Sequence, residues 1–171
     1  MGANRPAYDL RNKESRYINP LDTIEEVCGS RDWAWERGED DALTLFSGNK
    51  WTDFRLAINY LRDSQALQLM LLFDPKVPET RQAEVLRLLA LANSRNWLGH
   101  FDWWEEERAV MFRYGLPLRG ASLAARQCED VIDLALEACE MFFPALQYVL
   151  WSGLGAEEAI RLCQMQTVGE A

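Results

Sequence analysis

The sequence has little of several features that would indicate a specific chemistry. His100 is the only histidine among 171 residues, and no apolar run approaches the ~18 residues that a membrane-spanning helix needs. The glycine-rich patterns GxxxxGK[ST] and GxGxxG, which cradle phosphates, are missing, and so is the GxSxG pattern of α/β-hydrolases. These absences argue against a membrane span, a nucleotide site and a serine hydrolase.

Positive charge is also scarce. Lys and Arg number 18 against 27 Asp and Glu, which gives a formal net charge of −9. Nucleic-acid binding needs clustered Lys and Arg, so we do not expect a nucleic-acid partner. Hydrophobic residues make up 49% and charged residues 26% of the chain, which is typical of a soluble folded domain. A chain of this length can bury enough surface for one core.

The four cysteines are not spaced for metal or redox chemistry. Cys28, Cys128, Cys139 and Cys163 contain no CxxC pair, which disfavours a zinc site or a thioredoxin-like site. Cys128 and Cys139 lie in a helical pattern about 16 Å apart along the axis, too far to form a disulfide. The first residues lack the apolar segment of a secretory signal. We therefore expect a cytoplasmic protein with reduced cysteines, and a redox sensor is the alternative.

The order of elements predicts an α+β fold with an antiparallel sheet. Residues 1–19 are polar and aperiodic and are predicted to be a flexible tail, and residues 20–171 a single domain. Asn19 is a plausible N-cap, and Pro144 should kink or break the long helix that contains it. Because strands come in runs rather than alternating with helices, the order α-β-β-β-β-α-β-β-α favours α+β. The predicted helices are 20–28, 79–97, 123–143, 145–151 and 156–165, and the predicted strands are 33–37, 43–47, 52–61, 66–73, 100–105 and 108–114, with 115–117 closing the last hairpin.

The last hairpin carries the best candidate site. His100, Asp102 and Trp104 share one strand face by the two-residue period, and Met111 and Arg113 share the matching face of the next strand. A His–Asp pair suggests a general base or a metal ligand, but residues two apart on a strand lie about 7 Å apart. We therefore favour a partner-contact surface, in which an exposed Trp104 gives a large contact area at low entropic cost. Packing within the chain is the alternative reading of Trp104.

Trp151 is the sixth candidate residue for partner binding. It ends the segment 141–151, which is apolar nearly all round, so the helix should be buried on more than one side. A homodimer interface or packing of the final small helix would satisfy it. The acidic clusters at 36–41 and 105–107 lack the spacing of a calcium loop and are interpreted as solvated turns. We predict no metal, no cofactor and no catalytic residues.

Several short stretches resemble the bacterial YbjN family, whose layout is that of type III secretion chaperone-like domains. The resemblance covers roughly residues 20–171. It implies a cytoplasmic sensory transduction regulator without an established chemistry, whose fold relatives are homodimeric chaperones that bind extended protein segments. The stretches are GHFDW at 99–103, VMFRY at 110–114, QCED at 127–130, ACE at 138–140, PA at 144–145, VLW at 149–151 and TVGEA at 167–171.

Residues and resemblance together predict a non-enzymatic protein-binding module. It would recognise a protein partner through a sheet face, a hydrophobic groove or strand addition at a sheet edge. One alternative is a small transferase or hydrolase that uses His100 or a cysteine. The other is a regulator that senses a small molecule, which would need an apolar cavity with a few polar groups.

Overall fold

A computed structural model describes residues 19–48 and 52–168, which form four helices and six strands. Residues 1–18 of the tail predicted over 1–19 lie outside these residues. Asn19 caps the first helix as predicted, because its Oδ1 accepts a hydrogen bond from the Leu21 N–H at 3.1 Å. The elements are α1 (Pro20–Ser30), β1 (Ala34–Arg37), β2 (Ala42–Gly48), β3 (Asp53–Leu61), β4 (Ala66–Leu72), α2 (Glu79–Asn93), β5 (His100–Trp104), β6 (Ala109–Pro117), α3 (Ala125–Trp151) and α4 (Ala156–Val168).

The six strands form one sheet in the order β1-β2-β3-β4-β6-β5, and every neighbouring pair is antiparallel. This confirms the α+β fold with an antiparallel sheet. The alternation on β3 is also confirmed, since Phe54, Leu56, Ile58 and Tyr60 are all buried. Strands β1 and β5 are the two edges of the sheet.

The helices pack on one face of the sheet, with α3 at the centre of the helical layer. Aromatic rings join the two layers: Phe73 stacks on Phe143 with centroids 5.8 Å apart, and Phe101 stacks on Phe142 at 4.1 Å. All four rings are buried. Truncation of such a ring to Ala costs roughly 3–5 kcal/mol of the free energy of unfolding, so these contacts hold the layers together.

Two charged side chains of α2 fix the junction between α3 and α4. The Arg81 guanidinium donates to the carbonyl oxygens of Val149, at 2.5 Å, and Leu154, at 2.9 Å. Glu84 Oε2 accepts the N–H of Ala156, the first residue of α4, at 2.9 Å. Backbone groups at helix ends have no partner within their own helix, so these bonds satisfy groups that would otherwise need water.

The expected break at Pro144 is wrong, because α3 runs without interruption from Ala125 to Trp151. A proline inside a helix loses one backbone hydrogen bond and costs about 3 kcal/mol. Here Pro144 is buried, and so are Phe142, Phe143 and Ala145 around it. Burial of each large apolar side chain is worth about 1.5–3 kcal/mol, so the surrounding contacts offset the lost bond.

Two other predicted boundaries change for tertiary reasons. Helix α2 ends at Asn93 instead of residue 97, and the Asn93 side chain bonds to the backbone of β5. Strand β6 does not close at 115–117 but continues to Pro117, because Gly115, Leu116 and Pro117 pair with β4. Neither long-range contact can be read from local sequence.

Candidate functional site

The sheet surface opposite the helices, which we call the open face, carries both apolar and polar side chains. None of the four described helices lies on it. Three large hydrophobic side chains on this face remain exposed: Phe46 at 39%, Leu61 at 42% and Trp104 at 38% of their surface. The register places Phe46 beside Arg55 near the start of β3, Leu61 at the other end of β3 and Trp104 on β5, so these are three separate exposed residues rather than one contiguous patch.

Strand register aligns the open-face residues in rows across the sheet. One row runs from Thr44 through Ala57, Met70 and Arg113 to His100. The next row includes Leu72, Met111 and Asp102. Directly opposed residues on antiparallel strands lie about 4.5–5.5 Å apart, so neighbouring side chains within each row can touch.

Residues of these rows line a shallow hollow of about 560 Å³ that spans the open face from β2 to β5. Small side chains leave space for it: Thr44 and Ala57 line the hollow, and Ala109 is the residue opposite Trp104 in the β5–β6 pair. The lining residues are Thr44, Arg55, Ala57, Met70, Leu72, Asp102, Trp103, Trp104, Met111 and Arg113.

An ion pair fixes the polar side of the hollow. Arg113 Nη1 donates to Asp102 Oδ2 at 2.9 Å, and the other carboxylate oxygen accepts the N–H of Trp103 at 2.9 Å. The bond from Arg113 holds the pKa of Asp102 below its usual value, and partial desolvation opposes this shift. Asp102 is therefore ionised at neutral pH, with its charge balanced by Arg113, and is not suited to act as a general acid.

The structure brings five of the six predicted site residues to this face. Asp102, Trp104, Met111 and Arg113 line the hollow, and His100 is exposed at the end of the row through Arg113. Met111 is only 9% exposed because it lies between Leu72 and Asp102. It therefore forms the floor of the hollow rather than a projecting contact.

Trp151 lies apart from the other five. It is 66% exposed at the C-terminal end of α3, beside a separate hollow of about 470 Å³ that Lys76 and Arg108 also line. The predicted set is therefore two surfaces, one on the sheet and one at a helix end.

Sequence reasoning missed Arg55, Met70 and Phe46 on the open face. A signal for them was available: β4 is apolar on both faces apart from Gln68, and β3 carries Arg55 on its polar side. A strand with apolar residues on both faces, such as β4, is consistent with apolar positions on the face opposite the helices.

The two edges of the sheet differ in their free backbone groups. At β5, Asn93 bonds to both backbone groups of Phe101, at 2.7 Å to the N–H and 2.9 Å to the carbonyl oxygen. At β1, the Gly38 N–H donates to Ala42, and the alternation of an antiparallel ladder then turns the backbone groups of Trp35 and Arg37 away from β2. Side chains thus block the β5 edge, whereas within 19–48 and 52–168 no group pairs with the outward backbone of Trp35 and Arg37 at the β1 edge.

The cysteines do not join His100 in a site. Cys128 and Cys139 are buried in α3, on the helical side of the sheet, whereas His100 is exposed on the open face. Burial raises the pKa of Cys28 to about 11 and that of Cys128 to about 12. The thiolate is the nucleophilic form of cysteine, so this geometry gives no support to a cysteine–histidine enzyme.

The described residues contain neither a metal-binding cluster nor a membrane-spanning helix. Within 19–48 and 52–168, no group of three or more His, Cys, Asp or Glu side chains is placed to hold a metal ion. No helix in that part of the chain is both long and apolar enough to cross a membrane.

Comparison with solved structures shows the fold. The crystal structure of YbjN from E. coli, described as a putative transcription regulator, has a TM-score of 0.55 at 13% identity, and the match covers 73% of this chain and 90% of that chain. The structure of the HopA1-SchA chaperone-effector complex has a TM-score of 0.54 at 14% identity, covering 72% of this chain and 92% of that chain. The type III secretion chaperone-like architecture is therefore confirmed.

Comparison of sequences shows the family. The comparison with curated proteins found no match. The profile of the YbjN family, described as "Putative bacterial sensory transduction regulator", matches residues 20–148. Since this match spans most of the chain, and the fold agrees with it, the chain belongs to the YbjN family.

Proposed function

We propose that this chain is a non-enzymatic, cytoplasmic protein-binding module that recognises a protein partner through the open face. The observation that carries the proposal is the mainly apolar hollow beside Trp104 on the open face. The partner presents an apolar side chain to this hollow, and the surrounding sheet contributes contact area.

The chemistry of the hollow suits a protein segment better than a small polar substrate. Apolar surface dominates its lining, and Asp102 and Arg113 neutralise each other, which leaves Arg55 as the remaining charged side chain. Met70, Met111 and Trp104 supply adaptable and aromatic contact surface, as at many protein interfaces. The chaperone-effector complex with the same fold supports this choice by analogy, which is a weaker argument than the site itself.

Strand addition is a second contact that the same partner could make. It would occur at β1, where the backbone groups of Trp35 and Arg37 point outward, and not at β5, where Asn93 occupies the edge. The observation predicts that a bound segment extends across the open face towards β1.

The proposal can be tested by affinity capture with matched tryptophan variants. The native chain, Trp104→Ala and Trp97→Ala are used as baits in extracts of the source cells, and bound proteins are quantified by mass spectrometry. Trp97 is the control because it is 77% exposed and lies outside the open face. Circular dichroism checks that all three baits are folded.

The expected result is a protein that the native chain and Trp97→Ala retain and Trp104→Ala loses. Equal retention by all three baits, or equal loss by both variants, would contradict the assignment of the open face. If the captured protein is the chain itself, the open face is a self-association surface instead.

We also propose that the chain forms a homodimer. Support comes from Trp151, which stays 66% exposed after α4 has packed on α3. Light scattering coupled to size exclusion should give twice the 19.7 kDa chain mass for the native protein and a smaller mass for Trp151→Ser at the same concentration. A native monomer at high concentration would refute this part of the proposal.

A further inference from the structure

A second hydrophobic cavity lies on the other side of the sheet, between α2, α3 and α4. Its volume is about 200 Å³. Three alanines leave the space, Ala92 on α2 and Ala138 and Ala145 on α3. Phe101 and Phe142, which stack on each other, line it as well.

The size and lining fit a small apolar group. A cavity of ~150 Å³ lined by aliphatic and aromatic side chains is known to take up benzene. The present cavity is somewhat larger and opens to solvent, so it has room for one ring or a short alkyl chain with a polar end outside.

The mouth of the cavity carries one charged side chain, Arg95. This guanidinium is exposed and donates through Nη1 to the Leu91 carbonyl oxygen at 3.0 Å. Within the described residues no carboxylate lies at ion-pair distance from it. Five other arginines of this acidic chain do have carboxylate partners: Arg31, Arg37, Arg62, Arg87 and Arg113.

We propose that this cavity binds a small amphiphilic carboxylate, with its ring or alkyl chain among the alanines and its carboxylate on Arg95. A guanidinium presents paired N–H donors that match a carboxylate, and Asn96 at the same mouth supplies a further amide. The site is independent of the open face, because the sheet separates the two.

The test is a titration of the full chain with two acids and their alcohols. The probes are 3-phenylpropanoate and hexanoate, compared with 3-phenylpropan-1-ol and hexan-1-ol, and binding is measured by calorimetry. Ligands of this size should bind with dissociation constants of ~0.1–1 mM. Each acid should bind about two- to fivefold more tightly than its alcohol.

Three variants locate the interaction. Arg95→Gln should remove the preference for the acid, and Ala92→Leu should fill the cavity and abolish binding of both classes. Arg126→Gln is the control, because Arg126 is an exposed arginine at the start of α3, away from the cavity lining. It should leave both affinities unchanged.

A second measurement does not depend on the folding of any variant. In amide NMR spectra of the native chain, the acid should shift resonances of Phe101, Ala138 and Ile160, which line the cavity. No binding up to ~10 mM, or shifts confined to the open face, would overturn the proposal. Equal affinity for acid and alcohol would also overturn it, leaving a neutral apolar pocket. None of these outcomes affects the partner experiment with Trp104.

Discussion

Replacement of Asn93 by Ala should loosen the β5 edge and lower the stability of the whole domain. The Asn93 amide bridges the end of α2 to β5: its Nδ2 donates to the Phe101 carbonyl oxygen at 2.9 Å, and its Oδ1 accepts the Phe101 N–H at 2.7 Å. Alanine removes both bonds at once and leaves two half-buried backbone groups to water.

The magnitude follows from the bonds lost and the helix propensity gained. Each neutral hydrogen bond contributes a net ~0.5–1.5 kcal/mol to the free energy of unfolding, so the two together contribute about 1–3 kcal/mol. Alanine is the better helix former by about 0.5 kcal/mol at an interior position. The expected loss is therefore about 0.5–2.5 kcal/mol, or roughly 1–10 °C in the melting temperature of a domain this size.

Urea unfolding and amide hydrogen exchange measure the two consequences separately. Asn96→Ala is the matched control, since Asn96 makes one longer bond, 3.3 Å, to the Gly99 carbonyl oxygen. Exchange of the Phe101 N–H should accelerate in Asn93→Ala and stay slow in Asn96→Ala. Equal stability of the two variants, or unchanged protection of Phe101, would refute the bridging role of Asn93.

Three further results are expected. Gly99→Ala should cost about 3 kcal/mol or more of unfolding free energy, because φ is +67° and the new Cβ would meet the Phe112 ring and lie 2.9 Å from a backbone oxygen. Gly120→Ala, at φ +76° in open space, should cost less. Equal losses of stability by thermal melting would contradict this. The pKa of Asp102 is lower in the folded protein than in the unfolded chain, where it is ~3.9. Its ion pair therefore contributes stability above the unfolded pKa, and this contribution is lost as pH falls through the folded pKa. Native protein should therefore lose about 0.2–1 kcal/mol more than Asp102→Asn between about pH 6 and pH 2.5, and parallel profiles in urea unfolding would argue against the pair. Folded protein at pH 8 should expose only the half-buried Cys163 thiol to a thiol reagent, slowly, because burial raises the pKa of all four thiols; rapid reaction of several thiols would contradict the buried positions.

Much of the fold could be predicted because local signals agreed with the tertiary structure. The alternation of β3 gave the buried side of the sheet, and Asn19 with Pro20 gave the start of α1. The failures share a cause. Pro144 lies in a helix that its burial stabilises, and β6 extends beyond residue 114 because β4 offers a partner there. Contacts between distant segments override local propensity in both cases.

The candidate site was only half predictable for a similar reason. The two-residue period placed His100, Asp102 and Trp104 on one face, and the structure agrees. Period alone cannot say which strands lie next to a hairpin, so Arg55 and Met70, which come from β3 and β4, could not be added to the site. For the same reason, the sequence could not show that Trp151 lies apart from the other five residues.

Strand β5 belongs to both proposed surfaces, and this decides how the experiments must be read. Its alternation sends Asp102 and Trp104 to the open face and Phe101 to the cavity under the helices. A variant that displaces β5, such as Asn93→Ala, should therefore weaken both partner capture and carboxylate binding. Trp104→Ala and Arg95→Gln should each weaken only one. If either of these two variants removed both activities, the sheet would not separate the surfaces, and a single site spanning the β5 edge would explain the results better.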